Sequence, residues 1–136
     1  MTQLTEFLFP APAERRAGAI FSWWEGRRLA YNAWVGGAGA FTVGAGLLFS
    51  VLPPDAPGLP GAGMWVPVLI FGVMANVFYS AGAVLEVMVN ALWGREILPI
   101  GPALYRIGLT FSVGLALFPT LIMVMGWILK VLGVVG

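Results

Sequence analysis

Glu86 is an acid where acids rarely sit, the only charged residue in MWVPVLIFGVMANVFYSAGAVLEVMVNALW, Met64 to Trp93. An ionised carboxylate at membrane depth is costly unless it is paired, solvated or protonated. Asn76, Tyr79, Ser80, Ala83, Glu86 and Asn90 recur in steps of three or four, so they share one helical face. Two chemistries fit this polar stripe. Glu86 could be the ion or proton site of a transport path, or one half of a structural salt bridge. Candidate partners favour the bridge. Arg106 opens the third apolar run from the same side and Arg28 opens the first, with Asn32 one turn later as an added donor. An arginine fork offers a carboxylate two charge-assisted hydrogen bonds. Ser80 or Tyr79 beside an acid is too generic for catalysis, so no enzyme is expected.

The residue types that are missing exclude more chemistry. The chain has no histidine and no cysteine. Imidazole or thiolate ligands for haem, zinc or copper are therefore lacking, and no metal or other cofactor is expected. A Ser-His-Asp triad is impossible. No disulfide framework exists to mark the redox compartment. The net charge of +1 is not gathered on a basic face, so nucleic acid is not an expected partner.

The elements that position these residues are apolar and long. Of the 136 residues 60% are hydrophobic and 10% charged, where a soluble domain has about 25% charged. About 20 apolar residues suffice to cross a hydrocarbon core. The pattern predicts an all-α integral membrane bundle, one membrane domain over 1–136, with transmembrane helices at 29–52, 64–93 and 103–130. Residues 1–10 read as a tail whose Phe7-Leu8-Phe9 could touch the membrane surface but is too short for a cleavable signal. Residues 11–27 predict an amphipathic interfacial helix. Pro12 and Glu14 suit its first turn, and Ala13, Ala17, Ile20, Phe21 and Trp24 recur at helical spacing. The less distinctive alternative is a cytosolic cap packed on the bundle. Arg27 and Arg28 are expected to end this helix and begin the first crossing. Residues 53–63 (PPDAPGLPGAG) hold proline and glycine too densely for a helix and read as a stiff outer loop.

Basic residues orient the chain. Arg15, Arg16, Arg27, Arg28, Arg95 and Arg106 fall at one side and Lys130 alone at the other. The positive-inside rule then predicts a cytoplasmic N-terminus and an outer C-terminus, in a bacterial inner membrane.

Small residues form a second pattern. Gly36, Ala40 and Gly44 in the first crossing, and Gly108, Ser112 and Ala116 in the third, keep the four-residue interval of closely packed membrane helices. They could pack within the bundle or serve self-association and docking. Pro119 predicts a kink in the third crossing, and Arg95-Glu96 is an exposed loop pair. The expected function is non-catalytic: a small accessory or assembly subunit packing against itself or a larger membrane complex, with membrane lipids and other subunits as partners. The alternative is a protomer of an oligomeric transporter or channel using Glu86.

Overall fold

The computed structural model describes residues 15–94 and 99–135. The described chain is all-helical, and three helices are long and apolar enough to cross a membrane. Helix α1 runs from Ala17 to Phe49, α2 from Trp65 to Trp93 and α3 from Gly101 to Val131. A short 3-10 turn, Ala62–Met64, leads into α2. At 1.5 Å per residue the three helices are about 50, 44 and 46 Å long. Each exceeds a hydrocarbon core of about 30 Å.

Local chemistry sets the ends. Pro53 and Pro54, just past Ser50, cannot continue α1. Pro67 lies in the first turn of α2 and Pro102 in that of α3, where a missing N–H loses no helical bond. Gly94 ends α2 with φ 67, a conformation that side chains disfavour. Pro119 does not interrupt α3. Beside it, the Thr42 hydroxyl of α1 donates to the Ala116 carbonyl at 2.6 Å and accepts from Thr120 at 2.8 Å.

The interfacial helix expected over 11–27 is not a separate element. Residues 1–14 and the Arg95-Glu96 pair lie outside the described residues. From Ala17 onward the segment is simply the first part of α1, which passes Arg27 and Arg28 without a break. Arginine is a good helix former, and one glycine, Gly26, costs only about 1 kcal/mol. The buried residues Ile20, Trp24, Tyr31 and Val35 keep one register across the arginines. That face packs on the bundle: Ile20 is 0% and Trp24 2% exposed.

Contacts fix the helix directions. Trp24 meets Glu86, Arg28 meets Ser80 and Tyr31 meets Ala75, so α1 and α2 are antiparallel. Tyr31 meets Ser112, Thr42 meets Thr120 and Phe49 meets Trp127, so α1 and α3 run parallel. These two form the most extensive contact. The buried core (Ile20, Trp24, Tyr31, Val35, Ala75, Tyr79, Ala83) lies in the half that carries Arg27 and Arg28. At the other end Trp127 Nε1 donates to the Pro53 carbonyl at 2.7 Å, and Lys130 pairs with Asp55. The proline-rich loop is thereby tied down on α3.

Candidate functional site

The polar face of α2 turns inward. Tyr79, Ala83 and Glu86 are buried, and Asn76, Ser80 and Asn90 are half-buried. These groups split into separate arrangements instead of forming one ion-pair chain.

Glu86 is the innermost, at 1% exposure. Its Oε2 accepts a 2.7 Å hydrogen bond from the Trp24 indole, while Oε1 has no hydrogen-bond partner. The expected bridge to Arg106 or Arg28 is absent. Among the described residues the salt bridges are Arg28–Glu25 and Lys130–Asp55. Arg106 is exposed; five residues after Gly101, it points about 140° around α3 from the side that meets Glu86. Arg28 is held at another level. Ser80, which it touches, lies six positions before Glu86, about 9 Å along the axis.

The carboxyl group instead rests on the start of α3. A Cβ added at Gly101, the first residue of that helix, would fall 2.2 Å from Glu86 Oε2 and 2.7 Å from Oε1. Glycine is what lets the acid lie there. The first turn of α3 has no acid of its own, so Glu86 is the carboxyl group that lies at the positive end of that helix. The indole is equally enclosed. Gly82 leaves room for it, since a Cβ there would sit 2.8 Å from Trp24 Cη2. Tyr79 stands edge-on to Trp24 with centroids 5.1 Å apart, and its hydroxyl donates to the Trp24 carbonyl at 2.5 Å.

The second arrangement is centred on Arg28. Nε and Nη2 bind the Glu25 carboxylate at 2.8 and 2.5 Å, and Nη2 also reaches Ser80 Oγ at 3.2 Å. Nη1 makes a longer contact, 3.5 Å, with Asn76 Oδ1. The Arg28 guanidinium lies 5.0 Å from the Tyr79 ring centre. Asn32 serves Asn76, whose Nδ2 donates to Asn32 Oδ1 at 2.9 Å; it gives nothing to Glu86. Asn90 donates to the Arg15 carbonyl at 2.7 Å. Tyr31 donates to the Ala75 carbonyl at 3.1 Å and receives a 2.8 Å bond from Ser112.

The small-residue faces are divided. Ser112 and Ala116 are buried. Gly36, Ala40 and Gly44 are exposed, and among the described residues a Cβ added at Gly36, Gly44 or Gly108 meets nothing within 4 Å. Between α1 and α2 lies an open groove of about 500 Å³ whose walls include Gly36, Gly39, Ala40, Gly44, Val68 and Gly72.

Sequence reasoning misses Trp24 and Gly101 as neighbours of Glu86, and Gly82 as the residue that leaves room for the indole. Trp24 reads there as an interface aromatic. The available signal was the spacing Ile20, Trp24, Tyr31, Val35, which continues one apolar face through the arginines. Nothing in the spacing marks Gly101, because its role depends on another helix.

Fold and site together define an all-helical protein with three apolar helices of spanning length and a buried acid at their arginine-bearing end. Among the described residues no group of three or more His, Cys, Asp or Glu could hold a metal ion. No protein-family model, curated protein or solved structure matches the chain.

Proposed function

We propose that this is a small non-catalytic integral membrane subunit that assembles with itself or with a larger membrane complex. The observation that supports it is the open face of α1. Gly36, Ala40 and Gly44 are exposed, and among the described residues nothing comes within 4 Å of a Cβ added at the first or the last of them. Where lipid removes the hydrophobic drive, small residues at this interval let a second helix come close. The rival transport reading needs Glu86 to exchange with water, and at 1% exposure it is enclosed by Trp24 and Gly101.

Gly36→Leu and Gly44→Leu test the proposal. Each new side chain enters open space and improves helix propensity by roughly 1 kcal/mol, so helical content and unfolding temperature should hold. Assembly should not: the size of the particle extracted in gentle detergent from the membrane in which the chain is natively made should fall to that of the single chain. Variants that assemble as the wild type does, or a wild type that runs as a lone chain, would refute it.

We place the N-terminus in the cytoplasm of a bacterial cell and the C-terminus outside its inner membrane. Support comes from the six arginines at one end against Lys130 at the other, and from the parallel course of α1 and α3. Reporter fusions at the two termini should read opposite sides. Identical readings would sink the orientation.

A further inference from the structure

Along the outer side of α2 runs a shallow concavity of about 740 Å³. Its walls are mostly apolar (Val68, Leu69, Val73, Val77), and one end is polar, formed by Arg28, Ser80 and Asn76. From Ser80 to Val68 is twelve residues, or about 18 Å of helix. One leaflet of hydrocarbon is about 15 Å deep, half of a 30 Å core. The concavity thus has the length of one acyl chain, and Arg28, the last charge before the uncharged run 29–52, stands at its polar end. Charge agrees with shape. The Arg28 side chain is 31% exposed, and its Nη1 has only the 3.5 Å contact with Asn76. Its present anionic partner, Glu25, sits on an exposed surface and can be exchanged for another anion. Arg27, the residue before it on α1, lies 3.9 Å from the Trp23 ring centre and adds positive potential.

We infer that Arg28 and this face of α2 bind an anionic phospholipid, the phosphate on the guanidinium, one acyl chain along Val77 to Val68. Glu25 is the competitor that the phosphate displaces. The site is independent of the α1 glycine face and stands whether or not the chain assembles.

Lipid binding to the full chain in detergent, followed by native mass spectrometry, tests it with phosphatidylglycerol and phosphatidylcholine of matched chains. Wild type should prefer phosphatidylglycerol by roughly tenfold, the scale of one charge-assisted contact. Arg28→Gln should abolish the preference, Arg28→Lys should retain part of it, and Glu25→Gln should strengthen it. Val73→Trp, which fills the concavity, should weaken both lipids alike. Circular dichroism identifies any variant that fails to fold, and the Glu25→Gln and Val73→Trp arms then decide. An undiminished preference in Arg28→Gln would overturn the site, as would Glu25→Gln without effect. Displacement of phosphatidylglycerol by millimolar inorganic phosphate would assign the arginine to a soluble anion instead of a lipid.

Discussion

Trp24→Ala is expected to be the most destabilising single truncation in the chain. The indole is 2% exposed and touches all three helices: Glu86 and Tyr79 on α2, Tyr105 on α3, and Trp23 on its own helix. Truncating a buried aromatic costs about 3–5 kcal/mol through lost contacts and the cavity left behind. Here the loss also removes the one hydrogen bond that Glu86 receives. A buried acceptor left without its donor adds about 1–3 kcal/mol. Unfolding in detergent, by heat or denaturant, would measure the total. Trp24→Phe separates the two parts, since it keeps most of the ring and deletes Nε1. Its cost should match that of the hydrogen bond alone. Trp34→Ala is the control, because Trp34 is 66% exposed. Equal losses at the two tryptophans would show that no core exists around Trp24.

Gly101→Ala should be the second large effect, out of proportion to the one methyl it adds. On an open helix face glycine to alanine gains roughly 1 kcal/mol in propensity. At Gly101 the new Cβ would lie 2.2 Å from Glu86 Oε2. The carboxyl group must swing away, and the 2.7 Å bond from Trp24 breaks as it does so. A net loss of about 1–3 kcal/mol follows, the range for a buried polar group left without its partner. The effect belongs to the pair. Glu86→Asp withdraws the carboxyl group from Gly101, so Gly101→Ala should cost markedly less in that background. Residues in contact couple by about 0.5–3 kcal/mol. Additive losses within a few tenths of a kcal/mol would disprove the contact. Glu86→Gln, which keeps an acceptor for Trp24, should be tolerated better than Glu86→Leu.

The sequence conveyed the number of spanning-length helices and the shared polar face of α2 because both depend on local order. Apolar run length identifies a helix of spanning length, and steps of three and four identify a shared face whatever lies opposite. The same logic failed where two neighbours on α1 disagreed. Arg27 and Arg28 signal a membrane border, while Ile20, Trp24, Tyr31 and Val35 signal one continuous buried face. The structure follows the second signal, because arginine is compatible with helix and burial of the apolar face rewards continuity.

Partner choice was the least accessible property. Arg28 and Arg106 are the obvious mates for Glu86 by charge and by end of the bundle. Which side chain actually arrives depends on helix rotation and axial offset, and neither is written in a local pattern. Rotation turns Arg106 outward, and offset leaves Arg28 at the level of Asn76 and Ser80. The glycines make the same point: Gly36 and Gly101 are alike in sequence, but one borders an open groove and the other a carboxyl group. By itself, then, the sequence determined an all-helical chain with three spanning-length helices and an acid on the inner face of the second. Only the tertiary structure decided that Trp24 and the start of α3 answer that acid, because an added methyl or a hydrogen bond is judged by atoms dozens of residues away.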